Sequence, residues 1–280
     1  ANGLEGVEMR YDEILKGATL TIEGSKDARG RVLLFEDLDK KVPVEARTVE
    51  LTIDKTLQYI AEKALDKAID GSRAKGGTAI IMDPSTGEIL AMASRPTYDP
   101  NDVRAYTADA MRNRNITDVF EPGSIFKLFL VAAALEEKTI VPSDIVYCEN
   151  GSYQVADRVF HDTKKHGWLT VPQIIKYSSN IGSAKIGERL GKEQLYRYSK
   201  AFGFGTLTDI DLPGETRGAL RHYKTWSRVT VDTVSFGQGV SASSVQLVTA
   251  LSAIANGGFL LKPYIVKAVK EPNGAVVRQT

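Results

Sequence analysis

A chain of 280 residues with 42% hydrophobic and 25% charged side chains holds enough apolar material for one large soluble domain, or a large one with an appendage. Its formal net charge of +1, with no basic stripe or block of like charge, excludes long-range attraction to nucleic acid or acidic substrates. Cys148 is the only cysteine, which excludes an intrachain disulfide and a cysteine metal cluster but leaves the compartment open.

Residues 1 to about 46 are polar and irregular, with alternating pieces at Ala18–Ile22 and Arg31–Phe35 and a short predicted helix around Met9–Leu15. That is too little apolar material for an independent core, so this segment is expected to be an appendage. Thr48–Ile53 alternates as a strand, and Asp54 can cap a helix running to about Ile69 with Leu57, Ile60, Ala61, Ala64, Leu65 and Ala68 on one face. Thr78–Asp83 and Glu88–Ala93 flank Pro84-Ser85-Thr86-Gly87, which predicts a β-hairpin, apolar at most positions and therefore largely buried. Residues 94 to 123 form a long polar connection of the kind that carries function in a compact domain.

That connection delivers the chain to Glu121-Pro122-Gly123-Ser124-Ile125-Phe126-Lys127, followed by an apolar run to Leu135. Proline and glycine break what precedes them and the Leu/Ala run favours helix, so Ser124 falls in a first helical turn with Lys127 three residues on, along the same face. Free N–H groups at a helix start favour negative charge on Ser124, and an apolar helix face lowers the pKa of a lysine lying along it. A hydroxyl beside such an amine is a nucleophile beside its base. Read alone, the pair is equally an N-cap serine with a snorkelling lysine. A second Ser-x-x-Lys, Ser72 to Lys75, lies in a Gly- and charge-rich connector with no apolar run behind it and is read as a solvated loop.

Further on the pattern is helical. Thr170 can cap a short helix, Val171–Tyr177, with Pro172 in its first turn, and further helices are predicted from Ile181 to Leu190, from Lys192 to Phe202 and from Ser243 to Asn256. Ser178-Ser179-Asn180 sits in a break between helices, where a second hydroxyl could pass a proton and an amide could hold a peptide backbone; alternatively the three residues only cap helices. His161 and His166 are read as surface residues, and with His222 they lack zinc-ligand spacing. Gly203-x-Gly205 and Gly237-x-Gly239 are read as turns, and Tyr196 and Tyr198 as packing residues. Tyr264–Val269 is a strand, Glu271–Gly274 a turn, and a last strand begins before Thr280. Early strands, a helical middle and late strands make an α+β class, with first and last strands meeting in one sheet.

Ser-Ile-Phe-Lys within EPGSIFK, then SSN, then SFGQGVSASSVQL, IANGG and KPYIV, closely resemble the transpeptidase domain of class B penicillin-binding proteins; VELTIDKTLQYIAEKAL and GGTAIIMDPSTGEILAMASRPTYDPN resemble the start of that domain, and GLEGVEMRYDEILKG the end of the pedestal before it. The LPGETRG and SFGQG wording is similar to the cell-division branch. The Ser-x-x-Lys signature of this family is itself a standard catalytic motif. The resemblance implies a penicillin-binding protein/serine β-lactamase-like fold, an antiparallel sheet flanked by helices with a mostly helical subdomain, with residues 1–46 ending the pedestal and 47–280 forming the transpeptidase domain. It implies Ser124 as nucleophile on a D-Ala-D-Ala carbonyl, Lys127 as its base, Ser178 as proton shuttle, Asn180 as holder of the substrate amide and the Ser124 backbone N–H as half of an oxyanion hole. No cofactor or metal is implied. Expected partners are peptidoglycan stem peptides, β-lactams, a membrane-embedded glycan polymerase and division proteins. The expected location is the outer side of the bacterial plasma membrane.

The family's Lys-Thr-Gly motif does not occur after Tyr264, and Lys224-Thr225-Trp226 is no substitute, so the chain is expected to be part of a longer, membrane-anchored protein. On that expectation the enzyme activity belongs to the longer protein. Rival readings are a carboxypeptidase, β-lactamase or β-lactam sensor of the same fold, or a non-catalytic binding module. Against the β-lactamase, no Glu-x-x-x-Asn follows SSN.

Overall fold

The computed structural model describes residues 3–17, 24–26, 29, 32–34, 46–102 and 106–280. It divides into two compact units, one of Ala1–Thr52, Asp211–Pro213 and Tyr264–Thr280, the other of Ile53–Ile210 and Gly214–Pro263.

The first unit opens with α1 (Gly6–Arg10) and α2 (Asp12–Leu15), where the sequence predicts one helix. The break is at Tyr11, whose backbone leaves the helical region at φ −115°, ψ 19° and whose side chain is buried with Val266 and Val269. Strands β1 (Gly24–Lys26) and β2 (Val32–Leu34) pair antiparallel, so Arg31–Phe35 is a strand over its described residues; Ala18–Ile22 lies outside the described residues. β3 (Thr48–Leu51) follows.

The second unit begins with α3 (Lys55–Ser72), capped by Asp54, which accepts the N–H groups of Thr56 and Leu57 at 2.8 and 2.9 Å. The expected apolar face needs correction, since Ile60, Ala64 and Ala68 are exposed. The packed side carries Leu57, Ala61, Leu65 and Ile69 together with Gln58, Glu62 and Asp66. Polar residues sit there because they have partners on the neighbouring strand: Gln58 accepts from Met92 N–H at 2.8 Å and donates to its carbonyl at 3.1 Å, and Arg95 donates to Asp66 at 2.6 Å. The predicted hairpin is β4 (Gly77–Met82) with β5 (Ile89–Arg95). It is less buried than its apolar run suggests, with Ile89, Ala91 and Ala93 inside and only Met82 of β4.

The long connection holds two short helices, α4 (Ala108–Met111) and α5 (Arg114–Thr117), and is pinned to β5 by buried Asn115, whose amide donates to the Ala93 carbonyl at 3.0 Å. A tight 3-10 turn, Gly123–Ile125, runs into α6 (Phe126–Glu136), the centre of the core, where the rings of Phe126, Phe129 and Phe204 meet.

Residues 145–170 depart from the helical reading. They form two antiparallel pairs, β6 (Ile145–Tyr147) with β9 (Trp168–Thr170) and β7 (Ser152–Val155) with β8 (Arg158–His161). After them come α7 (Val171–Tyr177), whose Thr170 N–H donates to Gln173 at 2.9 Å, α8 (Asn180–Leu190) and α9 (Lys192–Ala201), as predicted within a residue. Tyr196 and Tyr198 pack against the core as expected. β10 (Ala219–Leu220) pairs with β11 (Val240–Ser241), and between them lies α10 (Arg228–Ser235), a helix without an expected counterpart. α11 (Ser244–Ala255) closes this unit, with a capping box at Ser243 and Gln246.

The chain then returns to the first unit as β12 (Val266–Lys270) and β13 (Val276–Gln279), joined by the Glu271–Gly274 turn. The sheet order is β13-β12-β3, all antiparallel, so the strand expected at Thr48–Ile53 shares a sheet with the last two strands, whereas β1, the first strand of the chain, pairs with β2 alone. Asp211 ties down the start of β12 by accepting the N–H groups of Ile265 and Val266, both at 2.8 Å. No helix among the described residues is long and apolar enough to cross a membrane.

α10 crosses α8 at very short range: a Cβ on Gly187 would lie 1.8 Å from Ser235 Oγ. Beside that crossing Asp232 is fully buried with neither carboxylate oxygen bonded. Burial, and then the negative charge of Glu188, push its pKa up to about 7, against the opposing pull of Arg228. The folded state therefore binds a proton that the unfolded chain releases near pH 4. The stability this confers is complete below that range and lost as pH rises towards 7, a change on the order of 2–4 kcal/mol. Asp232→Asn should flatten the dependence of melting temperature on pH between 4 and 8 and melt above the parent at pH 8; a parallel slope in both proteins would contradict this.

Candidate active site

Pro122 and Gly123 place Ser124 at the entrance of α6. Gly123 has φ +56°, the left-handed region, which turns the chain just before the serine. A second glycine holds the turn from behind. Gly237, φ +81°, accepts the Gly123 N–H at 3.0 Å, and a Cβ there would lie 2.1 Å from the Gly123 carbonyl oxygen. Glu121 accepts the Gly239 N–H at 2.7 Å, and Phe120 bridges Ala242. The Ser-Phe-Gly-Gln-Gly segment is thus the back wall of the serine turn, a role its reading as a plain turn missed. The glycine spacing was the available signal.

Ser124 is exposed, its hydroxyl takes a hydrogen bond from Ser178 Oγ at 2.8 Å, and no acceptor among the described residues takes its backbone N–H. Lys127, by contrast, is 1% exposed, which rules out a snorkelling lysine. Its Nζ donates to Ser178 O at 2.7 Å, Ser178 Oγ at 2.9 Å and Asn180 Oδ1 at 2.8 Å. Burial lowers its pKa to about 8, with the Asp162 carboxylate pulling the other way. The amine therefore reaches the Ser124 oxygen through Ser178 Oγ, so the contact expected directly along one helix face runs through a second hydroxyl.

Ser178 occupies that position because α7 ends on it in the left-handed conformation, φ 56°, which turns its side chain and its carbonyl together towards Lys127. Ser179 is the buried N-cap of α8, accepting the Gly182 N–H at 2.9 Å, so two residues of the triplet do cap helices, Ser178 ending α7 and Ser179 starting α8, while Ser178 also turns its hydroxyl to Lys127. Asn180 begins α8, with its oxygen on Lys127 and its amide nitrogen donating to the His161 carbonyl at 3.2 Å.

The residue that sequence reading did not find is Asp162. Its Oδ1 accepts the N–H groups of Asn180 and Ile181 at 2.6 and 3.0 Å, and its Oδ2 accepts Ser179 Oγ–H at 2.6 Å. A carboxylate from the end of β8 thereby caps α8 and fixes Asn180, with favourable charge at a helix N-terminus. Asp162→Asn keeps the shape but loses an acceptor and the charge. Acylation should fall about tenfold, and the pH midpoint of acylation should move below that of the parent, because the charge that raises the Lys127 pKa is gone. An unmoved midpoint would remove Asp162 from the site's electrostatics.

The remaining candidates lie elsewhere. His161 is exposed, but His166 is half-buried, because its ring stacks on Tyr177 with ring centroids 4.9 Å apart, a correction to its surface placement. His222 caps the turn at Lys224. Ser72 bonds back to the Ala68 carbonyl at 2.7 Å, and Lys75 is exposed.

An exposed hydroxyl with a free N–H beside it, linked through a second hydroxyl to a buried amine of lowered pKa, is equipped to attack a carbonyl and hold an acyl group. This is the chemistry of a serine acyl-transfer site. Residues 77–280 match the family model of the penicillin binding protein transpeptidase domain. Stage V sporulation protein D of Bacillus subtilis is 39% identical over 96% of this chain and 42% of its own length. The probable peptidoglycan D,D-transpeptidase PenA of Neisseria meningitidis is 34% identical over 97% of this chain and 47% of its own. Penicillin binding protein 3 of Mycobacterium tuberculosis, solved in complex with ampicillin, superposes with a TM-score of 0.84 at 30% identity, covering 100% of this chain and 58% of that one. The chain belongs to the transpeptidase domain family of penicillin-binding proteins and has its fold. It spans under half the length of the two sequence relatives named.

Proposed function

We propose that the protein containing this chain is a serine D,D-transpeptidase that cross-links peptidoglycan stem peptides in septal wall synthesis and is acylated by β-lactams. The observation that carries the reading is the chain of contacts from Lys127 Nζ through Ser178 Oγ to Ser124 Oγ. With the amine neutral, both hydroxyl protons can turn towards it on the same heavy atoms. Ser124 Oγ then attacks the D-Ala-D-Ala carbonyl while its proton passes to Ser178 and the Ser178 proton to Lys127. The tetrahedral oxyanion develops beside the Ser124 N–H, and its collapse breaks the peptide C–N bond as the relay returns a proton to the departing D-alanine nitrogen. An amine from a second stem attacks the ester, gives its proton to the same relay, and Ser124 leaves with it. A β-lactam forms the same ester, but its leaving nitrogen stays tethered.

Asn180, held from both sides by Lys127 and Asp162, is proposed to orient the donor's amide. Residues 1–46 are proposed to end a pedestal, and the domain to work on the outer face of the plasma membrane with a glycan polymerase and division proteins as partners. The transpeptidase names of relatives favour transfer over hydrolysis. A second setting, sporulation, is supported by the relative from Bacillus subtilis. The full-length protein, given a labelled donor stem peptide and an amine-bearing acceptor, should release D-alanine and form the cross-linked product; release with hydrolysis alone would make it a carboxypeptidase. Filamentation or blocked spore formation in a depletion strain separates the two settings.

A further inference from the structure

Beside the serine turn lies an open cleft of about 640 Å³ whose lining includes Glu121, Arg158, Arg221, Trp226, Thr233 and Gln238. Its walls are held from several sides. Gly239 N–H bonds Glu121, the Trp226 indole N–H donates to the Arg221 carbonyl at 3.0 Å, β10 pairs with β11, and Phe160 of β8 packs edge-on against Phe236 at 5.6 Å. Arg158 and Arg221 make no ion pair among the described residues, whereas the single carboxylate of the lining, Glu121, is already engaged by a backbone N–H. Two guanidiniums without an ion pair among the described residues, in one lining with hydroxyl and amide groups, suit a peptide carrying a carboxylate.

The position of the cleft separates it from the donor's place. None of Ser124, Lys127, Ser178 and Asn180 lines the cleft: the Ser124 hydroxyl bonds Ser178, while the Gly123 N–H of the same turn bonds Gly237, whose neighbour Gln238 lines the cleft together with Glu121. β8 measures the interval: Asp162, past its end, holds Asn180, and Arg158, at its start, lines the cleft. Four extended residues span roughly 13 Å, the reach of a short peptide.

On the reading of this site as a transpeptidase, we infer that the cleft is the acceptor subsite, in which Arg158 and Arg221 bind a carboxylate of the stem peptide whose amine attacks the acyl-enzyme.

The test uses the full-length protein with Arg158→Gln and Arg221→Gln combined. Two rates are measured: acylation by a penicillin and by a labelled donor, and partition of the acyl-enzyme between transfer and hydrolysis at fixed acceptor. The acceptor is supplied both with free carboxylates and fully amidated. Acylation should proceed at the parent's rate, which also certifies that the variant is folded. The transfer-to-hydrolysis ratio with the free-carboxylate acceptor should fall at least about tenfold, to the level that the amidated acceptor shows with parent and variant alike. An unchanged ratio overturns the subsite, and acylation falling by the same factor as transfer assigns the cleft to the donor and overturns it too. A parent that forms no adduct overturns the transpeptidase reading itself.

Discussion

Full-length protein carrying Ser124→Ala should show no mass increase after incubation with a penicillin, under conditions where the parent gains one equivalent. The expected loss is complete because the ester needs an oxygen and the variant has none at that place. Fold damage does not offer a rival explanation. Ser124 is exposed, and its side chain exchanges one hydrogen bond, with Ser178 Oγ, which is itself exposed and can turn to water. The melting temperature should therefore stay close to the parent's. An adduct surviving on the alanine variant would place the nucleophile elsewhere and sink the assignment.

Lys127→Met should lower the acylation rate by roughly 10²–10⁴, the range for loss of a positioned general base. Methionine keeps the stem as far as Cε and removes a buried charge, but it also takes the donor from Ser178 O and Asn180 Oδ1, so the melting temperature should shift by only a few degrees, and a melting curve separates the loss of activity from loss of fold. The pH profile gives the sharper signature. With a pKa of about 8, most parent molecules carry an ammonium at pH 7, so acylation should climb up to tenfold per pH unit below the midpoint and level off above it. The methionine variant should lack that rise. Lys127→Arg should behave like methionine, because a guanidinium holds its proton across the whole range. A parent profile that is flat between pH 6 and 9 would show that the amine is not the proton acceptor.

The parts of this fold legible in the sequence are those with local causes. Asp54, Thr170 and Ser243 announce their helices through short-range caps, and Gly191 closes α8. Ser124 and Lys127 stand out in the sequence by their spacing and by the apolar run behind them. The failures share a non-local cause. β6 to β9 are three or four residues each, too short for periodicity to register, and Arg158-Val159-Phe160-His161 is committed to strand by its pairing with β7. α10 is rich in valine and threonine, poor helix formers, and is helical because Val231, Val234 and Ser235 bury against the core and Gly187 admits them. α3 misled because Gln58 and Asp66 look solvent-bound until Met92 and Arg95 are beside them. Asp162 had no local signal, since its partners begin at Ser179.

The contact between Gly123 and Gly237 also bears on when the site comes into being. Ser124, Lys127, Ser178 and Asn180 are all synthesised well before the glycine that backs the serine turn. A nascent chain on the ribosome therefore carries all four of these side chains for a long stretch of translation without the wall that presents Ser124. The four side chains are all present by Asn180, but the turn that presents Ser124 waits for the chain to reach Ala242 and fold back on Phe120. Until then the serine is only one hydroxyl on an unfinished surface.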